Sequence, residues 1–188
     1  LTGQVNDTGG IAVEDVRIEA QSSSGAQGAS LDFTTNDSLT IQNSNSLDLT
    51  NEITIEMWVK PTNHLSNFTL VKKKDAYSLK HIGSNYVFEV FDLGGTSHSV
   101  SIPNSNVTLS EFNQLSAVLY NDTLRIYVNG ISTNFTIFSG TAISNNNNDL
   151  VIASSYKGKI DEFRFWNIGK KQKTISQDFS RLLSGSDS

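Results

Sequence analysis

The chain of 188 residues contains no cysteine, so disulfide bonds, thiolate catalysis and zinc–thiolate sites are all excluded. Charged residues make up only 18% of the chain, and its net charge of −5 disfavours nucleic acid and anionic lipid as partners. No apolar run approaches the roughly 18 residues that a membrane-spanning helix needs. We therefore expect a globular protein that neither inserts into a membrane nor binds nucleic acid.

Motifs that carry catalysis are also missing. The three histidines, His64, His81 and His98, have no metal-ligand spacing between them, and no Gly-x-Ser-x-Gly nucleophile motif occurs. Gly94-Gly95 reads as a hairpin turn rather than as part of a phosphate-binding loop. We predict no catalytic residues, and we expect each histidine to be a surface or strand residue.

What the chain does contain is a succession of short alternating segments rich in β-branched and aromatic residues. Segment 53–60 places Ile53 and Val59 on one face, with Glu56 and Trp58 on the other. Turn residues separate the segments, and two hairpin turns are predicted, one at Asn121-Asp122 and one at Asn129-Gly130, the strongest short turn dipeptide. This pattern predicts an all-β antiparallel sandwich or barrel.

The chain length suits one domain, which we place at residues 1–183, with 184–188 as a linker or tail. A single short helix is predicted over 173–183, where Thr174 and Gln177 have the spacing of a capping box. Because the chain starts at Leu1 rather than Met, we expect it to be part of a longer protein whose neighbouring domains are among its partners.

The segment "YKGKIDEFRFWNIGKK", residues 156–171, poses a specific problem. With period two, Phe163 and Phe165 mark the core face of a strand, and Asp161 then points to the same side as the core. Leaving a half-buried carboxylate unpaired costs several kcal/mol. Two partners could remove that cost: a cation, or backbone N–H groups of a neighbouring loop.

Two longer stretches, "GASLDFTTNDSLTIQNSNSLDLTNEITIEMWVKPT" and "GKIDEFRFWNIGKKQKTISQDF", resemble laminin-G-like jelly-roll domains of the concanavalin A-like lectin/glucanase superfamily. The hairpin "LSAVLYNDTLRIYVNGIS" fits between them, so the resemblance covers roughly residues 29–182. It implies a two-sheet antiparallel jelly-roll sandwich with one short C-terminal helix. Superfamily membership says little about function, because the superfamily holds lectins, adhesive modules, spacers and glycosidases.

The resemblance also implies one structural calcium ion at the rim of the sandwich. Its ligands would come from the last strand and from the Asp-Phe turn near the start of the fold, namely Asp32, Asn36, Asp37 and Asp161. Calcium takes 6 to 8 oxygen ligands, and these side chains together with loop carbonyls could supply them. A backbone cap remains the alternative role for Asp161.

The superfamily's retaining glycosidases carry Glu-x-Asp-x-Glu on one strand face. Here Glu52 and Glu56 have the outer spacing, but Thr54 stands at the centre, so a glycosidase is the least favoured reading. A sugar-binding module instead needs aromatic rings that stack on the ligand. The candidate rings are Trp58, Tyr86, Tyr156 and Trp166.

Asn-x-Ser/Thr sequons suggest surface exposure and possible N-glycosylation. They begin at Asn6, Asn36, Asn67, Asn106, Asn121 and Asn134. Together these features predict a non-catalytic extracellular or cell-surface module for adhesion or recognition, with a glycan or an extracellular protein as its partner. The alternative is a structural spacer in a larger surface protein, with no ligand of its own.

Overall fold

The computed structural model describes residues 15–18, 30–34 and 36–182, which form strands, one α-helix and two short 3-10 helices. The strands are β1 (Asp15–Ile18), β2 (Leu31–Phe33), β3 (Leu39–Ile41), β4 (Ile53–Pro61), β5 (Phe68–Lys73), β6 (Tyr77–Ile82), β7 (Asn85–Phe91), β8 (Ser97–Pro103), β9 (Asn113–Tyr120), β10 (Thr123–Val128), β11 (Ile131–Ile137), β12 (Leu150–Ser154) and β13 (Gly158–Trp166). The helix is α1 (Gln172–Leu182), and the 3-10 turns span Asn45–Leu47 and Asn104–Asn106. The predicted tail, 184–188, lies outside the described residues.

The strands form two antiparallel sheets. One has seven strands in the order β1-β13-β4-β9-β10-β11, with β2 also paired to β13. The other has six strands in the order β3-β12-β5-β6-β7-β8. The predicted all-β, two-sheet architecture is confirmed, and the residues between the sheets form one continuous apolar core.

Strand β4 shows how the sequence builds this core. Ile53, Ile55, Met57 and Val59 alternate along it and are fully buried between the sheets. The opposite face of the same strand is also buried, including Glu56 and Trp58. Alternation predicted the inner face correctly, but only the tertiary structure shows that a further layer covers the outer one.

Both predicted hairpin turns are present. Asn121-Asp122 joins β9 to β10, Asn129-Gly130 joins β10 to β11, and all four residues have positive φ. Turns of this kind match the right-handed twist of the strands on either side, which is why two-residue loops suffice. The hairpins fix the order of three neighbouring strands in the seven-stranded sheet.

The period-two reading of β13 is wrong, because the strand contains a β-bulge. Between Asp161 and Arg164 the register shifts, so that two residues of β13 oppose one residue of β4. Glu162 adopts a positive φ of 50° within the bulge. Ile160 therefore joins Phe163 and Phe165 in the core. Asp161 pairs with Trp58 and points away from the core.

The single helix, α1, begins one residue earlier than predicted and packs on the outside of the seven-stranded sheet. Ile175 is buried there in a small second cluster with Val118 and Tyr127. In the described part of the chain, no helix is long and apolar enough to cross a membrane.

Candidate functional site

The outer face of the seven-stranded sheet is closed by the segment that follows β13. Lys170 N donates to Thr54 Oγ1 at 2.9 Å, and Thr54 Oγ1 donates to Ile168 O at 2.7 Å. Farther along, the Phe179 ring stacks on Trp58 with centroids 5.6 Å apart. Together with Ile175, these contacts cover the face over β4, β9 and part of β10, whereas Phe135 and Ile137 of the edge strand β11 stay exposed on it.

Beneath this cover lies a buried ionic cluster. Lys170 Nζ lies 2.5 Å from Glu56 Oε2 and 2.9 Å from Asp178 Oδ2. Trp166 Nε1 donates to the same oxygen of Glu56, and the Lys170 ammonium lies 3.4 Å from the centroid of the Trp166 ring. Glu56 is only 2% exposed. Its carboxylate thus helps to attach the C-terminal segment to the sheet.

Glu52, the other carboxylate of the glycosidase-like spacing, has a similar structural task. Its Oε2 accepts a hydrogen bond from Gly169 N at 2.8 Å. Glu52 and Glu56 therefore both bind residues that follow β13, and they do not face each other across an open cleft.

The predicted stacking rings are not presented to solvent. Tyr86 and Tyr156 are completely buried, and the Tyr156 hydroxyl donates to Lys159 O at 3.1 Å. Burial raises the pKa of both tyrosines. The choice of Tyr86 and Tyr156 as ligand-stacking rings is therefore wrong, because both rings fill the core at one end of the sandwich.

The two tryptophans do lie opposite the core side, as predicted, but the C-terminal segment uses them. Trp58 is buried under Phe179, and half-buried Trp166 binds Glu56 and Lys170. Neither ring offers an open stacking face. Sequence alternation located these residues but gave no sign of the layer that covers them.

The predicted metal ligands lie partly together. Asp32 pairs with Lys159 across β2 and β13, and Asp161 lies two residues further along β13, on the same face. The Lys159 ammonium is 3.2 Å from Asp32 Oδ2, although both side chains are well exposed. Asp161 Oδ1 accepts from Glu162 N at 2.8 Å, a backbone bond within β13 itself rather than to the neighbouring loop that the capping alternative named.

The remaining predicted ligands, Asn36 and Asp37, belong to the turn after β2. Asp37 Oδ2 accepts hydrogen bonds from Thr34 N and Thr34 Oγ1, both at 2.7 Å, and these bonds lower the pKa of Asp37. Across residues 15–18, 30–34 and 36–182, no group of three or more His, Asp or Glu side chains could hold a metal ion. The described carboxylates thus supply only part of a calcium ligand set.

Among the predicted sequon asparagines, Asn6 lies outside the described residues. The others are exposed: Asn36, Asn67, Asn106, Asn121 and Asn134. Two of them make structural hydrogen bonds. Asn67 Oδ1 accepts from Gly83 N, and Asn134 Nδ2 donates to Ser101 O on β8. Their use as glycosylation sites stays a prediction.

The outer face of the six-stranded sheet is different, because polar side chains alternate there with the core residues and most of them remain exposed or half-exposed, although Ser78 is buried. We call this surface the open face and define it by Lys72, Ser78, Lys80, Val87, Glu89, Ser99 and Ser101. Cross-strand pairing joins these residues in rows: Lys72, Ser78, Glu89 and Ser99 form one row, and Lys80, Val87 and Ser101 form another.

Glu89 lies near the centre of the open face. Lys80 Nζ forms an ion pair with Glu89 Oε2, and Ser97 Oγ donates to Glu89 Oε1 at 2.8 Å. Burial favours the neutral acid, but the hydrogen bonds and the charge of Lys80 outweigh it and hold the pKa of Glu89 below its usual value. Aromatic residues in the sequence do not reveal this face. Its only signal in the sequence is the alternation of polar with apolar residues along β6, β7 and β8.

Comparison with protein families gives a match over residues 33–176 to the laminin-G model of the concanavalin A-like lectin/glucanases superfamily. The chain belongs to this superfamily. The match confirms the predicted family, and the two antiparallel sheets confirm the predicted jelly-roll sandwich. No curated protein sequence gives a significant match.

Solved structures with the same fold include several toxin binding domains. The binding domain of Paraclostridial Mosquitocidal Protein 1 matches with a TM-score of 0.72 and 13% identity, over 92% of this chain and 47% of that one. The botulinum neurotoxin serotype D ligand-binding domain in complex with N-acetylneuraminic acid matches at 0.66 and 11%, over 77% and 40%. The botulinum neurotoxin DC binding domain in complex with rat synaptotagmin II matches at 0.62 and 15%, over 77% and 40%.

At these identities the likeness to the toxin domains shows a shared fold only. This concanavalin A-like chain spans less than half the length of each of those structures. The ligands of those structures are therefore properties of the toxin domains alone.

Proposed function

We propose that this chain is a non-catalytic recognition module that binds a glycan or a protein partner through the open face of the six-stranded sheet. One observation carries the proposal: α1 covers the central strands of one outer sheet face, whereas the outer face of the six-stranded sheet presents polar side chains to solvent. The covered part of the first face, over β4, β9 and β10, is therefore structural. We assign recognition to the second face.

The chemistry of the open face suits a hydroxyl-rich or carboxylate-bearing ligand. The exposed serines on β8, Ser99 and Ser101, can donate and accept hydrogen bonds, and Lys72 and Lys80 supply positive charge. Val87 provides an apolar spot between them for a sugar face or an apolar side chain. The Lys80–Glu89 ion pair holds two of these groups in fixed positions before a ligand arrives.

The superfamily and the solved structures of similar fold support a binding role. Those structures are toxin binding domains, one in complex with N-acetylneuraminic acid and one with rat synaptotagmin II. The roles of Glu52 and Glu56 in attaching the C-terminal segment support a non-catalytic module. An extracellular or cell-surface location, within a longer protein, belongs to the same proposal.

The proposal keeps a structural calcium ion at the rim. Asp32 and Asp161 share one face on neighbouring strands, and the exposed Lys159 ammonium could move into water when a cation binds. The ion would then hold the last strand to the turn after β2, with Asn36 and loop carbonyls completing its ligands.

The test is binding of the fluorescently labelled chain to a glycan array and to cultured cells, with and without prior glycosidase or protease treatment of the cells. We expect the double variant Lys72→Glu with Ser99→Arg to lose binding by tenfold or more, because it reverses a charge and adds bulk on the open face; tenfold corresponds to about 1.4 kcal/mol.

Lys173→Glu is the matched control, since it reverses a charge on exposed helix α1 instead. Sensitivity to glycosidase or to protease identifies the ligand as glycan or protein. Equal binding by the open-face variant and wild type would refute the assignment of this face. No binding by wild type to any glycan or cell would favour the spacer instead.

A further inference from the structure

One end of the six-stranded sheet holds a stack of three rings, which we call the histidine stack: His64, His81 and Phe68. His81, near the end of β6, lies between the other two. Its ring centroid is 4.7 Å from Phe68, at 14°, and 5.2 Å from His64, at 20°. His64 belongs to the loop 62–67, which connects β4 to β5. The stack therefore attaches this loop to the sheet.

The hydrogen bonds of His81 determine its protonation state at neutral pH. His81 Nδ1 lies 3.1 Å from Ser66 O, and since a carbonyl oxygen only accepts, Nδ1 carries the hydrogen. His81 Nε2 is buried and has no hydrogen-bond partner among the described residues. The side chain is 0% exposed. A proton added at Nε2 would thus create a buried cationic donor with no acceptor.

His64 differs, because it is only half-buried and its Nε2 lies 2.9 Å from the Tyr86 hydroxyl. That hydroxyl can donate to a neutral ring or accept from a protonated one. Protonation of His64 alone keeps its hydrogen bond, but it places a positive charge against the stacked His81 ring. The two histidines therefore oppose each other's protonation while the loop is closed.

Few other titratable groups face the stack. Tyr86 of β7 and Tyr156, before β13, lie around Phe68 and are neutral at physiological pH. Lys80 points to the opposite face of β6 and pairs with Glu89, whereas Asp32 pairs with Lys159. Within the described part of the chain, no carboxylate lies in ion-pair distance of His64 or His81. Burial lowers the pKa of both histidines, and the charge of His81 further lowers that of His64.

We propose that the histidine stack is an acid-sensitive clamp that holds the loop 62–67 against the sheet at neutral pH and releases it as the pH falls below about 6. Release places both imidazoles in water, where each binds a proton without opposition. It also uncovers the edges of Phe68 and Tyr86 beside Leu65, which is already 92% exposed at the loop. Acid therefore creates an apolar surface at this end of the molecule.

The direction of the effect follows from proton linkage. The released state has ordinary histidine pKa values near 6.5, whereas the clamped state has lower ones, so release takes up protons. The clamp is fully closed above pH 6.5 and weakens as the pH falls below it. At pH 5.5 each histidine that binds a proton only in the released state favours release by about tenfold.

Hydrogen–deuterium exchange measures this release directly. The chain is labelled at pH 7.4 and pH 5.5, with labelling times scaled for the pH dependence of intrinsic exchange. We expect amides of 62–67 and of the β6–β7 turn to lose protection by about tenfold or more at pH 5.5, whereas the core strands β4 and β9 do not change. His81→Gln should clearly reduce the loss, leaving only the contribution of His64, since an amide can donate to Ser66 O but does not titrate.

His98→Gln is the matched control. His98 Nε2 lies within hydrogen-bond distance of Asp92 Oδ2, at 2.9 Å, and is outside the stack, so this variant should keep the wild-type acid response. Unchanged protection of the loop in wild type at pH 5.5, or an equal acid response in His81→Gln, would overturn the proposal. If His81→Gln fails to fold, NMR titration of the wild-type ring protons decides: a His81 pKa at or above 6.5 refutes the clamp.

Discussion

At the residue scale, buried charge in this protein serves attachment rather than chemistry. Lys170 carries the only ammonium in the cluster of Glu56, Asp178 and Trp166, and it joins the C-terminal segment to strand β4. An ion pair of this kind contributes little net stability compared with apolar packing, but removal of one partner leaves the other charge buried. The free energy of unfolding is therefore expected to fall most when only one partner of the ion pair is removed.

This reasoning gives a prediction for Lys170→Met, which deletes the ammonium and leaves the Glu56 carboxylate buried. We expect the free energy of unfolding, measured in urea at pH 7.4, to fall by about 3–5 kcal/mol. Adding Glu56→Leu to Lys170→Met should recover most of the loss, since the deeply buried Glu56 charge is then gone and only the partly exposed Asp178 carboxylate remains unpaired. Lys173→Met, on the exposed side of α1, is the control and should stay within about 0.5 kcal/mol of wild type. Equal losses of stability in Lys170→Met and Lys173→Met would show that the buried cluster does not contribute to folding stability.

At the element scale, the last strand depends on irregular backbone at two places. The bulge at Asp161–Arg164 reverses which residues face the core. At the start of the same strand, Gly158 has a φ of +141°, and a Cβ there would lie 2.2 Å from Lys60 O of β4. Close approach of two backbones permits only glycine at this position.

We therefore expect Gly158→Ala to destabilise the fold by about 3 kcal/mol or more, because a methyl group would overlap fixed backbone and the φ is strained. Gly83→Ala is the comparison: Gly83 also has a positive φ, of +61°, but nothing lies within 4 Å of a Cβ there. Gly83→Ala should lower the free energy of unfolding by only about 1 kcal/mol. Urea unfolding of both variants measures the difference, and similar costs would argue against the close approach of β13 and β4.

At the scale of the whole molecule, the two sheet faces have become unequal. The C-terminal segment covers the central strands on the outside of the seven-stranded sheet, and the six-stranded sheet keeps an open face, which is the surface that we propose for recognition. The rim between the sheets carries the turn after β2 and the start of β13, where the proposed calcium ion would stabilise the entire fold by mass action.

The calcium prediction is therefore tested on the intact chain. We expect calcium at 100 times its dissociation constant to add about 2.7 kcal/mol of stability, seen as a higher melting temperature than in EDTA. Asp161→Asn should reduce this increase, whereas Asp149→Asn, in a distant loop, should not. Superimposable melting curves in EDTA and in calcium would refute the proposed calcium site.

Sequence alone determined the parts of this protein that depend on local geometry. Alternation fixed the core face of β4, and Asn-Gly and Asn-Asp dipeptides fixed two hairpins because their backbone preferences match the strand twist. The motifs around Phe33 and Phe163 were sufficient to indicate the family. The helix was also evident, because its apolar spacing and cap are properties of one short segment.

Only the tertiary structure decided the features that depend on contacts between distant segments. The bulge in β13 inserts one residue and so turns Asp161 outward, which no period-two reading can detect. Trp58 is covered because α1, more than 100 residues later in the chain, packs on it. Tyr86 and Tyr156 are buried because side chains of separate strands and of the loop 62–67 pack around them. Burial of these rings, and hence the choice of the open face, follows from packing between segments rather than from their composition.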